Sequence, residues 1–103
     1  MREIYYVGDT LKSLKALPKD VLQKFAQELH ELMDKDTERA VESKSLNGLG
    51  NGVRELKKNG RPAYRLVYVI RGNVIHVLHV FTKTSTGTDK KHEETIKKRY
   101  KNL

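Results

Sequence analysis

Cysteine is absent from this sequence of 103 residues, which excludes a disulfide framework, a thiolate zinc site and a cysteine nucleophile. Tryptophan is also absent, and proline occurs only twice. No apolar run approaches the roughly 20 residues that cross a bilayer, and the first residues lack the apolar core of a secretory signal. These absences predict a cytoplasmic protein with no membrane partner. The histidines lack metal-ligand spacing, so the sequence predicts neither a metal nor a cofactor.

Net charge is the strongest compositional signal, at +8 for the whole chain. Residues 1–50 contain 8 basic and 9 acidic side chains, whereas residues 51–103 contain 13 basic and 4 acidic ones. A basic surface of this kind attracts polyanions such as nucleic acid, or an acidic protein. The length predicts a single domain over residues 1–103 that is large enough to bury a core.

The spacing of apolar residues predicts an α+β fold with the order β-α-α-β-β-β-α. Helical periodicity in the first half gives way to strand alternation in the second half. Tight turns follow the first two strands of the second half. Thr88 or Asp89 is predicted to cap the last helix. The predicted elements are a strand over 3–7, helices over 11–17 and 18–36, a loop over 37–52, strands over 53–57, 63–70 and 74–83, and a helix to about Lys101.

Alternation along the strands assigns side chains to the two faces of this mostly antiparallel sheet. The helices are predicted to pack on one face and to leave the other face open to solvent. Leu66 and Tyr68 belong to the more apolar side of their strand and are placed toward the helices, so Arg65 stands on the open face. His79 and Lys83 are placed on the open face too, although each side of their strand carries a histidine.

Three residues on the open face form the candidate catalytic group, namely Arg65, His79 and Lys83. RNA can be cut by its own 2′-hydroxyl without a metal if charge at the phosphorus is stabilised and protons are accepted and donated. Arginine suits the first task because its guanidinium is planar and always charged. Histidine, or a lysine among like charges, suits the second. The candidates for binding RNA through its phosphates are Arg54, Lys57, Lys58, Lys90 and Lys91.

Each candidate also has a purely structural interpretation, and the residues alone leave both open. Arg65 can pair with Glu55 on the neighbouring strand, and His79 can be packed or hydrogen-bonded. Lys83 can protect the end of a strand. His92, on the last helix, is interpreted as a surface residue.

Three segments of the second half follow one another in a recognisable order. They are Gly-Val-Arg-Glu-Leu-Lys over 52–57, Tyr-Arg-Leu-Val-Tyr over 64–68 and Leu-His-Val-Phe-Thr-Lys over 78–83. With Arg99-Tyr100 at a matching distance from Phe81, these segments resemble the HigB-type, phage-derived branch of the RelE toxin superfamily. The resemblance covers most of the chain and is strongest over residues 50–100.

The resemblance implies a RelE-like fold and a toxin of a type II toxin–antitoxin pair. Such toxins cut mRNA in the ribosomal A site without a metal, and a helix-turn-helix antitoxin of the HigA type neutralises them. By position, Arg65 matches the strand arginine that acts at the scissile phosphate. Lys57 matches a basic position on the neighbouring strand, and Lys83 matches the lysine after the aromatic position of the last strand.

Three positions depart from that branch: Thr84 replaces a second lysine, Asp89 replaces a proline and Ile96 replaces a small residue. The leading hypothesis is an mRNA endonuclease that inhibits translation. One alternative is a toxin of the same fold with another target, such as gyrase, and another is a non-enzymatic module that binds RNA or an acidic partner. We expect cleavage if Arg65 and Lys83 share one face of the sheet, and simple binding if the cations lie only on the last helix.

Overall fold

The structure, a computed structural model, describes residues 1–84 and 89–103. Every predicted helix and strand is present within those residues, with ends that shift by a few positions. An additional short strand lies inside the segment predicted as a loop, so the observed order contains one more strand than expected. The elements are β1 Glu3–Tyr6, α1 Thr10–Lys15, α2 Lys19–Met33, β2 Lys44–Ser45, β3 Arg54–Lys58, β4 Ala63–Arg71, β5 Val74–Lys83 and α3 Lys90–Lys101.

The strands form one mixed sheet in the order β1-β5-β4-β3-β2. β1 runs parallel to β5, and the other neighbours are antiparallel. The α+β class and the mostly antiparallel sheet are therefore as predicted. β2 was missed because its two residues, Lys44 and Ser45, are both exposed and give no apolar alternation.

The apolar stripe of α2 packs on one face of the sheet, as its spacing predicts. The buried side chains of α2 meet buried residues of β3, β4 and β5 in a continuous core, to which α1 contributes Leu14. The residues of α2 in this core are Val21, Phe25, Leu29 and Leu32.

The prediction that the helices pack on one face is wrong, because α3 packs across the opposite face. Ile96 of α3 is 2% exposed and forms a second core with Val67 and Val69 of β4. Tyr100 packs at the edge of this core, where a Cβ atom on Gly50 would lie 2.7 Å from its ring. The apolar residues on this face of the sheet need cover from water, and α3 provides it with one isoleucine and one tyrosine.

A β-bulge in β5 places both histidines of that strand on the face covered by α3, although unbroken alternation assigns them to opposite sides. Val67 lies opposite His79 and Tyr68 lies opposite Val77, so Leu78 has no partner in β4. Because of the extra residue, Val77 lies on the face covered by α1 and α2, whereas His79 lies on the face covered by α3. Unbroken alternation groups these two residues on one side of the strand, and the bulge separates them.

The start of α3 is capped by Asp89, whose side chain accepts a hydrogen bond of 3.0 Å from the backbone N–H of Lys91. Thr88, the other predicted cap, lies outside the described residues. None of the helices in residues 1–84 and 89–103 has the length and apolar character that a membrane crossing requires.

Candidate functional site

Arg65 of β4 and Lys83 of β5 lie on the face of the sheet that α3 partly covers. Arg65 is paired with Phe81, and Lys83 is paired with Ala63, two residues further along the ladder. Both side chains line a cleft of about 720 Å³, which we call the arginine cleft. Its other wall is the segment 59–62 between β3 and β4. The structure thus brings together two of the three predicted catalytic residues.

Arg65 is also held by an ion pair, as its structural interpretation expects. Its side chain is 8% exposed, and its Nε atom lies 3.5 Å from Oε1 of Glu55, which is 12% exposed. Nη1 of Arg65 donates a hydrogen bond of 2.9 Å to the carbonyl oxygen of Tyr64. Nε itself has no hydrogen-bond acceptor among the described residues. That atom is buried beside Glu55, so an anion in the cleft can reach Arg65 only through its Nη atoms.

His79, the third predicted catalytic residue, faces α3 instead of the arginine cleft. Its Nε2 atom lies 2.7 Å from Nδ1 of His92, a hydrogen-bond distance. Burial first, then the nearby His92 and Arg99, lower the pKa of His79 to about 4, against an opposing effect of Asp9. His79 is therefore a neutral imidazole at pH 7.

His92, which the sequence predicts as a surface residue, lies between α3 and β5 in the site. Its ring stacks on Phe81 at 4.1 Å between centroids, with 21° between the planes. Its Nε2 atom lies 3.7 Å from Oδ2 of Asp89. No signal in the sequence identifies this contact, since it depends on which face of the sheet α3 covers.

A second cleft lies between β5, α3 and the segment 45–49, and we call it the aromatic cleft. It has a volume of about 480 Å³ and is lined by Phe81 and His92, among others. Lys83 and Thr84 line both this cleft and the arginine cleft. The two clefts therefore adjoin along the end of β5.

Arg54, a predicted RNA-binding residue, does not join this site. It is paired with Tyr68, whose side chain belongs to the core under α1 and α2, so Arg54 lies on the opposite face from Arg65. Its guanidinium donates a hydrogen bond of 2.9 Å to the carbonyl oxygen of Ser43. Its role in RNA binding stays a prediction, on a surface separate from the arginine cleft.

The predicted RNA-binding lysines fall into two separate places. Lys57 and Lys58 line a different cleft of about 640 Å³ at the β2 edge of the sheet, although Lys57 is paired with Arg65 in the ladder. Lys90 and Lys91 are exposed at the start of α3. The structure therefore does not gather these four lysines with Arg65 and Lys83 in a single cleft.

The observed geometry defines a class of molecule: a small basic α+β domain with two adjoining clefts on one face of a mixed sheet. Residues 12–101 match the model of the phage-derived Gp49-like protein family (DUF891). Since the match covers most of the chain, the chain belongs to this family, which is a RelE/toxin-like family. No curated protein matches the chain. Within the part of the chain that the structure describes, there is no group of three or more His, Cys, Asp or Glu side chains suited to a metal ion.

Proposed function

We propose that this chain is the toxin of a type II toxin–antitoxin pair, of the HigB type, that cuts mRNA on the ribosome without a metal. A helix-turn-helix antitoxin of the HigA type would be its partner. Membership of a toxin-like family supports the toxin role. The observation that carries the nuclease role is that Arg65 and Lys83 line one cleft on the same face of the sheet.

In the proposed reaction, the 2′-oxygen of the RNA attacks the adjacent phosphorus, and the bond from phosphorus to the 5′-oxygen breaks. A base takes the proton from the 2′-hydroxyl and an acid gives a proton to the leaving 5′-oxygen, which yields a cyclic phosphate and a 5′-hydroxyl. The guanidinium of Arg65 stabilises the additional negative charge on the phosphoryl oxygens. The ammonium of Lys83 lies in the same cleft and supplies the proton for the leaving oxygen.

We assign the base to His92, with His79 as a positioning residue behind it. Neutral His79 accepts a hydrogen bond at Nε2 from the Nδ1–H of His92, in the tautomer that leaves Nε2 of His92 free to take a proton. The carboxylate of Asp89, 3.7 Å from that nitrogen, then stabilises the positive imidazolium. This arrangement replaces the direct role that the sequence predicts for His79.

Induced expression combined with primer extension on a reporter mRNA tests the proposal. Arg65→Ala is expected to lose about 2–4 kcal/mol of transition-state stabilisation, by analogy with the loss of an oxyanion donor. The matched control is Arg39→Ala, which removes an exposed arginine that lines neither cleft. Growth arrest and codon-phased cuts that disappear in Arg65→Ala but persist in Arg39→Ala support the nuclease.

Lys83→Ala provides a second test, because Arg65→Ala leaves the mostly buried Glu55 without its partner. Thermal unfolding of each purified variant separates a loss of fold from a loss of chemistry. Near-normal cleavage by a folded Arg65→Ala or Lys83→Ala protein contradicts the assigned roles. Arrest without cuts identifies a different target for the same fold, such as gyrase.

A second candidate function is a non-enzymatic module that binds RNA or an acidic partner. Arg65 is mostly buried and paired with Glu55, whereas the lysines of α3 are open to solvent. The accessible cations on α3 favour this function. All five of these lysines are exposed to solvent, namely Lys90, Lys91, Lys97, Lys98 and Lys101. This function is supported if expression causes no growth arrest and no mRNA cuts. The purified chain should then bind RNA in a salt-dependent way, and substitution of the α3 lysines should abolish that binding.

A further inference from the structure

The aromatic cleft has the size and the lining of a site for one planar ring. Its volume of about 480 Å³ lies within the range of small-molecule sites. Leu46 and Leu49 line it from the segment before β3, and Ile96 lines it from α3. Phe81 and His92 add two nearly parallel rings, 4.1 Å apart, to the same lining. Aromatic and apolar side chains of this kind hold unstacked nucleobases in single-stranded RNA.

Glu93 adds a carboxylate to the lining of the aromatic cleft. Three carboxylates of the described residues line this cleft and differ in their partners. Glu55 pairs with Arg65 at 3.5 Å and Asp89 lies 3.7 Å from His92, whereas Glu93 makes no salt bridge with a described residue. A carboxylate accepts two parallel hydrogen bonds. Guanine offers two adjacent N–H donors on its Watson–Crick edge, adenine and cytosine offer one amino group, and uracil offers a single N–H between two carbonyl oxygens.

Lys83 connects this cleft to the phosphate site. It lines both clefts, so a phosphate bound at Lys83 in the arginine cleft carries its nucleoside toward the aromatic cleft. The base that enters is therefore adjacent in the RNA chain to the phosphate that reacts.

We infer that the aromatic cleft binds one RNA base beside the scissile phosphate, and that the carboxylate of Glu93 makes guanine the preferred base. This inference rests on the proposed nuclease function, because that function supplies the RNA.

The test is a titration of the purified ¹⁵N-labelled chain with the four nucleoside 3′-monophosphates, followed by two-dimensional NMR. Guanosine 3′-monophosphate is expected to bind about tenfold more tightly than the uridine nucleotide, since a bidentate pair discriminates on this scale. Glu93→Gln should reduce this preference to about twofold or less. Glu94→Gln is the matched control, because its carboxylate is exposed on the same helix and does not line the cleft.

Equal binding of all four nucleotides overturns the inference, as does no binding at millimolar concentration. A guanine preference that survives Glu93→Gln also overturns the inference. So do chemical-shift changes that are confined to the cleft at Lys57 and Lys58. Primer extension separates this result from the nuclease proposal. A guanine preference without mRNA cleavage supports the base site and refutes the nuclease, whereas cleavage without any preference refutes the base site alone.

Discussion

Helices cover both faces of the sheet, but the two faces differ in how completely they are buried. Under α1 and α2 the core runs across β3, β4 and β5, and Phe25 at its centre is fully buried. Under α3 the core is small and centres on Ile96. Beyond it the same face carries Arg65, His79 and Lys83.

The difference shows how a small domain keeps a stable fold and still provides a polar site. The large core stabilises the sheet from one side, so the other side does not need continuous apolar cover. α3 has few apolar residues, and Ile96 is its one fully buried side chain among those described. Two clefts are left beside it, and they meet at Lys83.

The largest expected effect comes from a cavity on the α2 face. Phe25→Ala removes a ring that is 0% exposed, and we expect the free energy of unfolding to fall by about 3–5 kcal/mol. Urea denaturation of the purified proteins measures this change. Leu11→Ala, at an apolar residue that is 39% exposed, is the control and should cost well under half as much. Equal losses in the two variants would show that the α2 face is not the main source of stability.

A smaller and more local effect is expected on the opposite face. Ile96→Ala should cost about 2–4 kcal/mol, because a buried side chain is truncated where only a small core surrounds it. Amide hydrogen exchange should accelerate in α3 while the amides of α2 remain protected. Equal acceleration in both helices would indicate that the two faces unfold as one unit, which contradicts a separate, weaker core under α3.

The sequence predicts well whatever depends on local pattern. Alternation and tight turns correctly predict β4 and β5, and the spacing of apolar residues correctly predicts the buried stripe of α2. The shared face of Arg65 and Lys83 is also as predicted, although only the part of β5 after the bulge follows the predicted alternation. The catalytic roles of these two residues remain predictions.

The sequence could not predict what depends on pairing between distant segments. The bulge at Leu78 arises from the register of β5 against β4, which alternation within one strand does not contain. The two apolar residues of α3 fit either face of the sheet, and the apolar surface that Val67 and Val69 would expose without α3 decides between them. His92 was misplaced as a consequence.

Acid pH should affect the α3 face specifically through His79. Burial first, then His92 and Arg99, lower its pKa to about 4, with Asp9 opposing, from an ordinary value of 6.5. The unfolded chain therefore binds the proton first, so stability that is present above pH 6.5 is lost as the pH falls toward 4. His79→Gln should lose less stability than the wild type between pH 7 and pH 5, as measured by urea midpoints. His30→Gln, at an exposed histidine of α2, should behave like the wild type, and an equal effect there would refute the assignment to His79.

The smallest expected effect is a gain in RNA affinity at Thr84, the position where the HigB-type branch usually has a second lysine. Thr84 is exposed and lines both clefts, so Thr84→Lys adds a positive charge where the proposed phosphate and base sites meet. We expect RNA to bind more tightly by about 0.5–1 kcal/mol at low salt, with the gain shrinking as salt screens the charge. Fluorescence anisotropy with a labelled oligonucleotide measures this across a salt series. Gln23→Lys adds the same charge at an exposed site on α2, and an equal gain there would mean that RNA senses the net charge of the chain and not the two clefts.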